Sequence, residues 1–119
     1  MNRLKLSSLM LLAMLVGLTI TFVPAYANTC PMDDPIHSLP ECITHHRGMG
    51  DIDNEGLYRS LLEKAQNAVA LYDSGNSHTS INILNSLIFE LEAQSGEHIS
   101  EAAAEMLIHH AEMAIEQIN

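Results

Sequence analysis

Tryptophan is absent from this chain of 119 residues, and only three tyrosines and two phenylalanines occur. So few large rings argue against an aromatic platform on which sugars or bases would stack. Basic residues are scarce as well, five Lys and Arg against fifteen Asp and Glu. Beyond Arg3 and Lys5 only Arg47, Arg59 and Lys64 remain. No basic patch exists to release counterions from a phosphate backbone, which excludes a nucleic-acid partner. There is no glycine-rich phosphate loop, and no serine sits in a nucleophile-elbow pattern. Paired carboxylates are plentiful, but they fall on solvated helix faces, their ordinary place. These absences favour a protein that is not an enzyme.

No apolar run is long enough to span a bilayer. The longest, Leu9 to Val23, is about 15 residues, where a spanning helix needs roughly 20. Arg3 and Lys5 precede it and Pro24-Ala25-Tyr26-Ala27 follows. A charged start, an apolar middle and an Ala-x-Ala end make a secretory signal peptide over residues 1–27. An uncleaved anchor is the rival reading. Cleavage after Ala27 leaves residues 28–119 as a single domain, periplasmic or secreted, with no stable membrane insertion. All fifteen acidic residues stay in it. The excess of negative charge keeps such a domain soluble, or attracts cations.

The two cysteines, Cys30 and Cys42, read most simply as a disulfide in an exported chain. Closing a loop of about 13 residues contributes on the order of 3 kcal/mol in the chain-entropy model. The alternative is a pair of thiolate metal ligands.

Downstream the pattern is helical. Residues 28–37 carry two prolines and no periodicity, so an extended arm is expected. Ser38-Leu39-Pro40-Glu41 fits a capping box, which starts a short helix over Leu39–Arg47 that stops at Gly48 and Gly50. Its apolar stripe is Leu39, Cys42, Ile43 and His46. A second helix is capped from Asp51, Asp53 or Asn54 and carries Leu57, Leu61, Ala65, Ala68 and Tyr72 at 3–4 spacing. Asp73-Ser74-Gly75-Asn76 stops it. Ser77 caps a third helix with Ile81, Leu84, Leu87, Ile88 and Leu91 inward. Ser100 caps a fourth, with Ala103, Leu107, Ala111, Ala114, Ile115 and Ile118 inward. No stretch alternates with period two. The expected fold is all-α: an up-and-down bundle of one short and three longer helices, with a disulfide-tethered N-terminal arm.

From about Gly56 to Ile118 the chain resembles the FIMAH domain family. The likeness rests on Ser60-Leu61-Leu62-Glu63-Lys64-Ala65, Ser74-Gly75-Asn76, Ala93-Gln94-Ser95-Gly96 and Leu107-Ile108-His109-His110-Ala111. Leu87-Ile88 stands where the family tends to have Phe-Ile, and Glu97 where lysine commonly follows the turn. The family is a small all-helical module of secreted bacterial proteins, often appended to polysaccharide-active enzymes. The resemblance implies a non-catalytic accessory role, binding a protein or a cell-surface or extracellular polymer. The Cys30–Gly50 stretch lies outside the likeness.

Histidine supplies the alternative function. Neighbouring residues on a helix point about 100° apart, so neither His45-His46 nor His109-His110 chelates one ion alone. There is no His-Glu-x-x-His, so any site must be assembled between helices. Helical phase turns His46 and His110 inward and His45 and His109 outward. Inward imidazoles are ordinarily hydrogen-bonded across a helix interface. The sharper expectation brings His37, His46 and His110 together as ligands to copper or zinc, with a thioether from Met49 or Met106 favouring copper.

Overall fold

The computed structural model describes residues 30–119. The signal peptide read over residues 1–27, and the first residues of the arm, lie outside the described residues. Four helices follow: α1 Pro35–Gly48, α2 Glu55–Asp73, α3 Ser77–Gln94 and α4 Glu101–Ile118. The first has 14 residues and the others 19, 18 and 18, the expected one short and three long.

Polar cross-links fix the direction of each neighbour. His37, in the first turn of α1, reaches Asp73 at the end of α2. Ser60, in the first half of α2, reaches Glu90 near the end of α3, and Lys64 pairs with the same carboxylate. The Ile36 N–H bonds to Gln117 Oε1, next to the end of α4, at 3.1 Å. Each pair is therefore antiparallel. α1 packs on α2 and α4, and α3 packs on the same two. The helices close a ring around one continuous core.

The centres of the expected stripes build that core, while Tyr72, Ile88, Ile115 and Ile118 pack on it half-buried and Ile81, also expected inward, lies at its margin. Leu57, Leu61, Ala65 and Ala68 of α2 and Leu84, Leu87 and Leu91 of α3 are buried. α4 contributes Leu107 with Ala103, Ala104, Ala111 and Ala114. Small side chains there let neighbouring backbones come close, while each fully buried leucine stabilises the fold by about 1.5–3 kcal/mol. Ser80 is the one buried hydroxyl among the described residues. It donates to the Ala68 carbonyl at 2.7 Å, so α3 meets α2 with that donor satisfied.

The start of α1 departs from expectation. The helix begins at Pro35, not Leu39, so the extended arm ends at Asp34. Asp34 is the N-cap residue, and its carbonyl accepts from Ser38 N–H at 3.0 Å. Pro35 at the first helical position loses no hydrogen bond by lacking an N–H. Ser38 thus lies within the helix, and no capping box forms there. Pro40 is also internal and cannot donate to the carbonyl four residues back. Burial overrides that cost: Ile36, Leu39, Cys42, Ile43 and His46 are all inside, and a break at Pro40 would separate the first two from the other three.

The other boundaries follow local chemistry. Asn54 caps α2 by accepting from Leu57 N–H at 2.9 Å, and Ser100 caps α4 through Ala103 N–H. Asn76, one residue before the expected Ser77, occupies the cap position of α3. α1 and α2 end alike. Gly50 N–H bonds to Arg47 O and Asp51 N–H to His46 O; Gly75 N–H bonds to Tyr72 O and Asn76 N–H to Leu71 O. Both glycines sit at φ +84°, which this paired closure of a helix end requires. Beyond, Asp53 N–H bonds to His98 O and Ser100 N–H to Asp51 O. These bonds flank buried Ile52 and Ile99, which seal that end of the bundle. No helix among the described residues is long and apolar enough to cross a membrane.

Two nearby glycines separate helix propensity from turn geometry. Gly48 lies inside α1 at ordinary φ with open space around a would-be Cβ, and Gly50 has the same space but positive φ. Gly48→Ala is expected to stabilise the chain by about 0.5–1 kcal/mol. Gly50→Ala is expected to destabilise it by about 1–2 kcal/mol. Urea unfolding of the two variants checks the opposite signs.

Candidate functional site

The polar side chains of interest gather where α1 meets its neighbours. The Cys30–Cys42 disulfide is formed, with Cα atoms 5.5 Å apart, and pins the arm against α1. Beside it lies His110 of α4, 1% exposed. Its Nε2 is 3.0 Å from the Pro35 carbonyl oxygen and 2.9 Å from Ser38 Oγ. A carbonyl only accepts, so Nε2 carries the hydrogen and Nδ1 the lone pair. Ser38 Oγ in turn donates to the Pro31 carbonyl at 2.8 Å. One serine therefore ties the arm, α1 and α4 together. Burial holds the His110 pKa below the usual 6.5, opposed by the Pro35 hydrogen bond, while His109 adds a smaller push down. The ring is a neutral imidazole bonded across a helix interface.

Gln117 extends the seam. Besides accepting from Ile36 N–H, it donates through Nε2 to Asp34 Oδ1 at 2.8 Å. That bond is the main cause holding the Asp34 carboxyl below the usual 3.8, with His37 contributing.

His37 stands at the surface between two acids. Nδ1 is 2.8 Å from Asp34 Oδ2 and Nε2 is 2.8 Å from Asp73 Oδ1. Both nitrogens donate only when the ring is protonated. The Asp73 bond above all, then Asp34, raise its pKa above 6.5 against partial burial. His46, 3% exposed, bonds through Nδ1 to Asp51 Oδ2 at 2.7 Å. Its buried Nε2 has no partner among the described residues.

The three histidines expected to converge are thus held in separate settings. His37 faces α2, His46 faces the turn after α1, and His110 faces the first turn of α1. His46 lies about 12 Å along the helix from Ser38, which holds His110. Met49 and Met106 are 49% and 42% exposed. His45 and His109 are outward, as helical phase predicts. What the sequence reading missed is the role of Ser38, Asp34 and Gln117. The partners lie more than seventy residues apart, so no local spacing announces them.

A different surface carries the largest exposed apolar side chain. Phe89, on the outer face of α3, is 71% exposed. Its helical neighbours Asn82, Asn85, Ser86, Glu92 and Ala93 are exposed too, leaving an aromatic ring among short polar groups. Arg47 pairs with Glu55, as does Arg59, and Lys64 with Glu90. Every Lys and Arg from residue 30 onward is therefore answered by a carboxylate.

The His37 arrangement fixes a pH dependence. A raised histidine pKa stabilises the fold below 6.5 and loses that effect as pH rises through the folded value. His37→Gln is therefore expected to lower the urea midpoint near pH 6 and to change it far less near pH 9. Unfolding curves at the two pH values check this.

A family model for the FIMAH domain matches residues 36–116. The match starts at Ile36, so the family unit includes α1 and most of the Cys30–Gly50 stretch, not only the part from Gly56. No curated protein and no solved structure matches the chain. The matched span covers all but the edges of the four-helix ring, and the chain belongs to the FIMAH domain family.

Proposed function

We propose that this protein is an exported, non-enzymatic accessory module that acts by binding a protein or an extracellular polymer through the outer face of α3. The observation that carries the reading is Phe89, an aromatic ring held out in water further than any other large apolar side chain among the described residues. A large ring ringed by amide and hydroxyl groups suits a partner with both apolar and hydrogen-bonding surface. The face lacks a free cation, which favours a neutral polymer or a protein over a polyanion. The Cys30–Cys42 bridge and the family membership support export, since disulfides persist in oxidising compartments. The polar side chains of the α1 seam bond to one another and tie elements together, which supports a structural and not a catalytic use of them.

Affinity electrophoresis through neutral polysaccharides, with pull-down from cell-envelope fractions, tests the reading. Phe89→Ala is expected to weaken retention by about 10-fold or more, the scale of an aromatic anchor. Its stability should change by less than about 0.5 kcal/mol, because the side chain is exposed. Retention unchanged in the variant would contradict the assignment of this face.

A further inference from the structure

The disulfide sets two sulfur atoms beside a buried imidazole. The sulfurs of Cys30 and Cys42 and a ring nitrogen of His110 all lie within 4.8 Å of one another, and this is the one such three-ligand group among the described residues. Two sulfur or nitrogen atoms bound to one tetrahedral zinc, each at about 2.0–2.3 Å, stand roughly 3.5–4 Å apart. The imidazole nitrogen is already within about 1 Å of that spacing from both sulfurs, whereas the two bonded sulfurs must part by roughly 1.5 Å or more. Breaking the sulfur–sulfur bond moves the two sulfurs apart, which is the direction required.

The surroundings fit a metal ligand set. His110 gives its Nε2–H to the Pro35 carbonyl. A backbone acceptor on one ring nitrogen is how metal-binding histidines are commonly oriented, and it leaves the Nδ1 lone pair as the one a metal would take. Ser38 accepts from the same N–H and holds Pro31, next to Cys30, with its own proton. The arm and the imidazole thus keep their relation through Ser38 when the covalent link is gone. Cys42 and His110 are buried while Cys30 is half-exposed, so an ion enters from the arm side.

We propose that reduction of the Cys30–Cys42 disulfide opens a zinc site made of the two cysteine thiolates and the His110 imidazole. One pair of residues then serves as a covalent clip when oxidised and as part of a metal centre when reduced. The reductant is a dithiol. Its two electrons break the sulfur–sulfur bond, its two protons go to the cysteines, and it leaves as its own disulfide. Zinc then forms two bonds to sulfur and one to nitrogen, and the two thiol protons pass to water. Water takes the fourth position, an arrangement known for zinc with two cysteines and one histidine.

The test compares the purified chain in two redox states. One sample is kept oxidised; the other is reduced with a phosphine, which leaves no dithiol to compete for metal, and held without oxygen. Zn²⁺ is titrated against a chromophoric chelator, and Co²⁺ is used in parallel for its thiolate charge-transfer band. The expected result is one ion bound by the reduced chain, at least about 100-fold more tightly than by the oxidised chain, with the cobalt band present only after reduction. Cys30→Ser, a change in the half-exposed arm, should weaken binding by about 10-fold or more, as should His110→Gln. Equal affinity in both redox states would overturn the proposal, as would affinity unchanged by Cys30→Ser. A reduced chain that binds no zinc, whether or not it keeps its helices, would overturn it too.

Discussion

The packing of α1 against α4 closes the structure, and the rest depends on it. Helices α2, α3 and α4 follow one another through short turns, so their antiparallel contacts come cheaply in chain entropy. α1 and α4 are the distant pair, and joining them turns an open row into a ring. Ile36, Leu39, Cys42 and Ile43 supply the apolar side of that closure. The polar side is His110 on Pro35 and Ser38, with Gln117 on Ile36 and Asp34. Each of these groups is placed so that a donor meets an acceptor. A buried imidazole left without one would cost about as much as a lost core methyl group or more.

The same closure gives the chemistry-bearing residues around α1 structural partners. Histidines, acids and cysteines are the residue types of active sites, and α1 holds several. Here His37 joins two helices through Asp34 and Asp73, His46 braces the turn after α1 through Asp51, and the cysteines hold the arm. Two histidines at the first turn of α1 respond to acid in opposite ways. His37 gains its ion pairs as it takes up a proton, whereas His110 resists protonation because it is buried. Below pH 6.5 the first effect supports the native chain and the second opposes it. The outer face of α3 takes no part in either.

Much of this was legible in the residues. The 3–4 spacing of leucine and alanine identified α2, α3 and α4 together with their inward faces, because burial of one stripe is the strongest local signal a helix gives. Ser100, Asn54 and Gly75 marked ends by capping chemistry that reads within four residues. The start of α1 was misread for the same reason. Ser38, Pro40 and Glu41 form a plausible capping box locally, yet the buried face of Ile36 to His46 carries the helix through it. Tertiary burial beat local propensity at the one place where the chain closes on itself. The polar seam was hidden further still, since Ser38 and His110 sit 72 residues apart and nothing in the spacing of either predicts the other. Helical phase turned His46 and His110 inward correctly, but phase does not say how far along the axis two side chains sit. That axial offset keeps His46 apart from His110, while His37, at the same end of α1 as His110, turns to Asp73 of α2.

Membership of the FIMAH family now extends to α1, which fits a unit that is incomplete without its fourth wall. Three helices alone would leave the α2 and α4 stripes open to water on one side. α1 is therefore part of the cooperative core and not a docked appendage. Native-state hydrogen exchange on the oxidised chain measures this directly. The amides of Leu39, Cys42 and Ile43 should exchange only through global unfolding, with the same protection as Leu61, Leu87 and Leu107. Exchange in α1 through a cheaper local opening, with the other three helices still protected, would contradict it.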